Sequence, residues 1–133
     1  MEGKKYIEVN DLVVYQLARK LSALAWKIYE SLTWQDKKIM GDQFISATDS
    51  VGANIVEGYG RYHFRDKIRF YYISRASLNE SAFHWLSLLF ERNKISKEEL
   101  TEMTIVFDEL QIKLNNFITV TYKQIENKKD ENL

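Results

Sequence analysis

The 133-residue chain has no cysteine, no proline and only five glycines. Without thiols it has no disulfide framework and no thiolate metal site, which fits a reducing compartment. Without proline, and with glycine so sparse, few positions can break a helix, so long uninterrupted helices are the expectation. No apolar run is long enough for a membrane span or, behind Met1-Glu2-Gly3-Lys4-Lys5, for a signal peptide. A soluble cytoplasmic protein follows as the expectation. Net charge is absent as well, because 19 basic residues balance 19 acidic ones, so the chain as a whole does not advertise a polyanion partner. One domain spanning 1–133 is long enough to build a core without staples.

What is present is apolar residues at helical spacing, in four segments. The first starts near Asn10 or Asp11, either a good N-cap, and carries Val14, Leu17, Leu21, Leu24, Ile28 and Leu32. The second carries Phe44, Ala47, Val51 and Ile55, and stops at Gly58-Tyr59-Gly60, where a glycine can take the left-handed conformation of a C-cap. The third runs from about Phe64 to Arg92, with Ile68, Tyr71, Leu78, Ala82, Leu86 and Leu89 on one side and Asn93 closing it. Ser96-Lys97-Glu98-Glu99 reads as a capping box opening the fourth, which repeats Met103, Phe107, Leu110, Leu114, Phe117 and Thr121. The charged tail 123–133 is expected to fray. Short connections between four helices predict an all-α, up-down antiparallel four-helix bundle.

More apolar surface is present than one core requires. Ile105, Ile112 and Ile118 fall off the fourth stripe, and Ile45 and Val56 flank the second. On the third segment Phe70 and Leu88 share a face with Ser74, Ser77 and Ser81, whose small side chains allow close helix approach. This repetition at helical spacing predicts a second buried face, and hence a homo-oligomer.

Chemistry-bearing constellations are scarce. The glycines of Gly52-Ala53-Asn54-Ile55-Val56-Glu57-Gly58-Tyr59-Gly60-Arg61 have neither nucleotide-binding spacing nor a preceding strand. Glu80 and His84 make only half of a helical metal site, and no serine or threonine has a base and an orienter. No metal, cofactor or enzymatic activity is expected. Arg75 projects into the apolar face of the third segment. A buried arginine must be paired, and Asn54 and Glu57 are the nearest candidates, forming a structural polar network. Charge is also unevenly spread: 52–75 holds five basic and two acidic residues, whereas 94–110 holds two basic and five acidic. Arg61, Arg65 and Arg69 are four apart, with Tyr59, Tyr62 and Phe64 interleaved at the start of the row. Guanidinium groups beside stackable rings suit RNA or single-stranded DNA. A solvated basic face with aromatic wedges closing the bundle end is the equally weighted alternative.

The runs Val14-Tyr15-Gln16-Leu17-Ala18, Ser50-Val51-Gly52-Ala53-Asn54-Ile55-Val56-Glu57-Gly58-Tyr59-Gly60-Arg61 and Arg69-Phe70-Tyr71-Tyr72-Ile73-Ser74-Arg75-Ala76-Ser77-Leu78-Asn79-Glu80 carry a family resemblance. The chain resembles the four-helix-bundle proteins encoded in intervening sequences of bacterial 23S ribosomal RNA genes, relatives of the accessory variability protein of diversity-generating retroelements. The resemblance implies a closed homopentameric ring and nucleic-acid binding, and in the retroelement setting a reverse transcriptase and RNA as partners. The family usually has Ser-Ile-Pro-Ala-Asn-Ile where this chain has Ser50-Val51-Gly52-Ala53-Asn54-Ile55. A usual pair of arginines is replaced by Ile45 and Ser46, and Asp49 occupies an apolar position. A non-enzymatic accessory protein that binds nucleic acid is the expected function; a protein–protein interaction scaffold is the alternative.

Overall fold

The computed structural model describes residues 6–131, with side chains through residue 127. Helix α1 is Val13–Ser31, α2 covers 34–59, α3 covers 64–91, and α4 is Lys97–Glu131. Turns of a few residues join them, so sequence neighbours pack side by side and α4 returns against α1, closing an up-down antiparallel bundle. No strand occurs among the described residues. The core follows the bundle axis: Leu21, Phe44, Ile55, Leu78, Leu89, Leu110 and Leu114 are each no more than 1% exposed.

The helix ends show which sequence signals act. Ser96 and Glu99 cap each other's amides at 2.9 and 3.0 Å, as the capping box requires. Asn93 closes α3 at φ 60°, the left-handed region that asparagine tolerates. The amides behind it fold back, Asn93 N to Phe90 O at 3.0 Å and Lys94 N to Leu89 O at 2.8 Å. Two expected ends differ. Asn10 and Asp11 lie in a short 3₁₀ turn, Val9–Asp11, and α1 starts only after the buried Leu12. Anchoring that leucine in the core fixes where the helix begins. The glycines ending α2 also need no left-handed residue, since Gly60 has φ −78°.

Both α2 and α3 contain a π-type turn, Lys37–Gly41 and Glu80–Leu86. In α3 the buried positions step from Ser81 to Leu86, five residues apart. An ideal helix would rotate those side chains about 140° apart. The wider turn returns both to the core, a register change that ordinary helical periodicity does not reveal.

The α2–α3 seam is narrow and polar. Thr48 and Ser81 bond at 2.6 Å, Ser50 and Ser77 at 3.0 Å, and Ser74 donates to the Val51 carbonyl at 2.8 Å. Ser74 and Ser81 are fully buried. The serine face anticipated as a contact for another copy is therefore an internal seam. Its small residues let α2 approach α3 closely enough for side chain and backbone to bond across it. Likewise Ile118, expected off the stripe, is buried, as is Val106, so α4 presents a broader apolar face than its heptad implies. The tail expected to fray is helical through Glu131, while residues 132–133 lie outside the described residues.

Thr48 also donates to the Phe44 carbonyl at 2.8 Å, which leaves its oxygen to accept from Ser81. Thr48→Val should cost about 1–2 kcal/mol, because it strands the buried Ser81 hydroxyl, and Ser81→Ala about 0.5–1 kcal/mol, because Thr48 keeps its bond to the Phe44 carbonyl. The double variant should cost about 1 kcal/mol less than the sum of the two. Urea denaturation of the four proteins checks this, and strict additivity would mean the two hydroxyls do not act as a pair.

Candidate nucleic-acid interface at the α2–α3 turn

The turn between α2 and α3, residues 60–63, gathers the basic and aromatic residues expected from the sequence, but not as one row. Helix α3 begins at Phe64, so Arg61 lies in the turn rather than a helical step before Arg65. The fold recruits Arg61 by a different route. Its guanidinium sits 4.7 Å from the Phe70 ring centroid and pairs with Glu57, one turn back on α2. Arg69 approaches the same ring at 5.8 Å and lies 3.9 Å from Asp66. Phe70 thus supports two guanidinium groups and holds their charge at the surface by cation–π attraction. Nothing in the sequence marks Phe70 as a site residue, since its position directly after Arg69 gives no hint of the contact.

Arg65 is exposed but faces elsewhere. It lines a cleft of about 340 Å³ with Ile68, Tyr122, Ile125 and Glu126, between the start of α3 and the end of α4. Tyr62 is 85% exposed, and its ring lies nearly perpendicular to that of His63, with centroids 5.1 Å apart. Tyr59 has another role. Its hydroxyl donates to the Ile7 carbonyl, tying the N-terminal segment to this end of the bundle, and its own carbonyl accepts from Lys67 Nζ at 2.7 Å. Lys67 also lies over the Tyr59 ring, and burial pushes its pKa below the usual lysine value. Phe64 is half-buried at the first turn of α3. Of the six expected residues, Arg61, Arg65, Arg69 and Tyr62 are available at the surface. Tyr59 and Phe64 help build the end of the bundle.

The network expected of Asn54, Glu57 and Arg75 is not formed. Asn54 donates to the Ser50 carbonyl and hydroxyl at 2.8 and 2.9 Å, and Glu57 takes Arg61. Arg75 is only half-buried; it donates to Asn115 Oδ1 at 3.2 Å and lies 5.0 Å from the Tyr72 ring centroid. The long side chain leaves the apolar stripe and reaches the α3–α4 rim, which a wheel projection of Cα positions does not capture. Tyr72 and Tyr122 hydrogen-bond to each other at 2.5 Å along the same rim.

Away from this end, an open groove of about 520 Å³ runs between α1 and α2. Ala23, Gly52 and Ala53 contribute small surfaces to it, and Tyr15, Trp26 and Val56 contribute large ones. Arg19 lies over the Tyr15 ring and donates to its hydroxyl at 2.9 Å; Ser22 donates to Asp49 at 2.7 Å. Among the described residues no three histidine, cysteine or acidic side chains converge as a metal site would require. Glu80 accepts from the Trp85 indole at 2.9 Å, and His84 stands edge-on to the Trp85 ring. No helix among them is long and apolar enough to cross a membrane.

A four-helix bundle whose notable surfaces are a basic aromatic turn and an open interhelical groove defines a class of small all-α proteins. The chain belongs, more particularly, to the 23S rRNA-intervening sequence protein family, whose model matches residues 10–116. It is similar to a solved structure from Bacteroides thetaiotaomicron, a protein of unknown function from the S23 ribosomal protein family. The two share 25% identity over 80% of this chain and 98% of the other, with a TM-score of 0.74. Comparison with functionally curated proteins gives no match.

Proposed function

We propose that this chain is a non-enzymatic, self-assembling accessory protein that binds RNA or single-stranded DNA weakly at its α2–α3 turn. One observation carries the reading: Arg61 and Arg69 lie against the same phenylalanine ring, beside a tyrosine that is 85% exposed. Fixed guanidinium groups neutralise phosphates, and an open ring stacks a base without regard to its identity. Both arginines have acidic neighbours, so one subunit offers few net phosphate contacts. Repetition of the turn around a cyclic assembly, with a pentamer favoured by the family resemblance, converts those contacts into avidity.

Binding of a labelled single-stranded oligonucleotide should weaken steeply as salt rises. Each phosphate neutralised contributes about 0.7 to the log–log slope on single strands. Changing Arg61, Arg65 and Arg69 to glutamine should flatten that slope while leaving the assembled mass unchanged. No binding at low salt, or the same slope in the triple variant, would remove the turn as a nucleic-acid interface.

A further inference from the structure

The α1–α2 groove holds one positive and one negative group that do not pair with each other. Arg19 and Asp49 both line it, yet among the described residues no ion pair joins them. Each is tied to a different neighbour. Arg19 donates to the Tyr15 hydroxyl at 2.9 Å, and one carboxylate oxygen of Asp49 accepts from Ser22 at 2.7 Å. The Arg19 pKa is raised above its ordinary value, chiefly by the Tyr15 bond and least by the Asp49 charge. The two groups sense each other without touching. Aromatic rings frame them: Tyr15 comes within 3.6 Å of where a Cβ at Gly52 would stand, and Trp26 stacks on Tyr29 yet stays 50% exposed. Ala23, Gly52 and Ala53 have no side chains long enough to fill the space between, and the opening of about 520 Å³ has the size of a small-molecule site.

From this arrangement we infer that the groove is a subsite for a guanine base, which lies against Trp26 with its hydrogen-bonding edge between Asp49 and Arg19. Guanine sets two donors, N1–H and the exocyclic amine, side by side next to one acceptor, O6. A carboxylate followed by a guanidinium matches that order, and both sets of bonds are charge-assisted. The Ser22 bond uses only part of the acceptor capacity of Asp49. Adenine and cytosine offer the carboxylate a single amine, and uracil a single ring N–H. A site with one charge of each sign is neutral overall, so it suits an uncharged base edge and leaves the phosphates to the α2–α3 turn. Asp49, Gly52, Ala53 and Val56 follow at threes and fours along one face of α2, which ends one turn before Gly60. About 16 Å of helix separates Asp49 from Gly60. A strand rising at least about 3.4 Å per nucleotide covers that distance in about five nucleotides or fewer. A strand held at Arg61 and Arg69 can therefore seat one base in the groove. The inference rests on the nucleic-acid reading of the turn and gives it a base preference; a free guanine nucleotide carries the same edge.

The test has two arms, both on the full chain, with helicity and urea midpoint as folding controls for every variant. In the first, GMP, AMP, CMP and UMP are titrated against tryptophan fluorescence. GMP should quench, bind about tenfold more tightly than the other three, and lose its signal in Trp26→Phe. Asp49→Asn puts a donor where guanine also has donors, so it should erase the preference; Arg19→Gln should weaken GMP about tenfold. In the second arm, a labelled oligo-dT with one central dG should bind about tenfold more tightly than oligo-dT alone, and Asp49→Asn should remove that gain without changing the salt slope. A GMP preference without the oligonucleotide gain would keep the subsite and make the free nucleotide its ligand. Equal responses to all four nucleotides, none at all, or a guanine preference that survives Asp49→Asn would overturn it. The two sites fail separately. Salt-dependent strand binding with no guanine preference removes the groove alone, whereas a GMP preference with no salt-dependent strand binding removes the turn alone.

Discussion

Gly58→Val should lower the stability of the bundle by about 3 kcal/mol, the upper end of what overpacking a dense core costs, and Gly58→Ala by about 1–2 kcal/mol. A Cβ built at Gly58 would lie 2.7 Å from Tyr71 Cε1 and 2.9 Å from Phe70 Cβ. Neither neighbour can yield easily. Tyr71 is 1% exposed and packs on Phe117 at 4.8 Å between centroids, while Phe70 Cβ is fixed to the α3 backbone. Two other glycines provide the contrast. At Gly60 a Cβ would meet only the backbone oxygens of Val56 and Glu57, at 3.6 and 3.8 Å, so Gly60→Ala should change stability by less than about 0.5 kcal/mol. At Gly52 the nearest atoms, in Ala18 and Tyr15, stand at an ordinary 3.6 Å, so Gly52→Ala should stabilise α2 by about 0.5–1 kcal/mol. Urea midpoints of the four variants check the order, and a Gly58→Ala protein as stable as Gly60→Ala would show that α2 and α3 can separate without cost.

The glycine contrast shows what the sequence could and could not reveal. Punctuation at Gly58-Tyr59-Gly60 marks the end of α2 but not the reason for glycine. No left-handed residue is required there; Gly58 is small because Tyr71 occupies the space a side chain would need. Local signals that act within one turn were legible, as the Ser96–Glu99 box and the left-handed Asn93 show. Signals that depend on a neighbouring helix were not. Ser74 and Ser81 read equally well as an external contact or an internal seam, because periodicity gives a face and not its occupant. The π turn in α3 adds a residue to the register, which moves Ser81 and Leu86 onto one side.

The candidate interface divides along the same line. Exposed Arg61, Arg65, Arg69 and Tyr62 could be picked out by composition, since charge clusters and aromatics are countable. Their grouping could not, because Arg61 reaches Phe70 across a turn and Arg65 looks toward the end of α4 instead. Arg75 is the clearest failure of projection. Its Cα lies on the apolar stripe, yet its guanidinium leaves the core and meets Asn115. A wheel fixes backbone direction, and a long flexible side chain is free to depart from it.

Tyr71 also makes the bundle sensitive to alkali. Burial, reinforced by the nearby Tyr59, raises its pKa well above the ordinary tyrosine value of 10.0. In the unfolded chain the same phenol ionises near that ordinary value. Below about pH 10 both states keep the proton, so Tyr71 adds no pH dependence. Above it the unfolded state loses the proton while the folded state retains it, and stability falls by up to about 1.4 kcal/mol per pH unit from this residue alone. Lys67 acts with the opposite sign, because burial lowers its pKa and the charged form is disfavoured in the fold. That contribution and those of the surface tyrosines are common to wild type and Tyr71→Phe, so they cancel when the two are compared. Urea unfolding at pH 8, 10 and 11.5 should show wild type losing its margin faster than Tyr71→Phe, with the difference between them opening only above pH 10. Parallel losses in the two proteins would mean that the Tyr71 hydroxyl reaches solvent readily, and that the gap closed by Gly58 is looser than the packing around it implies.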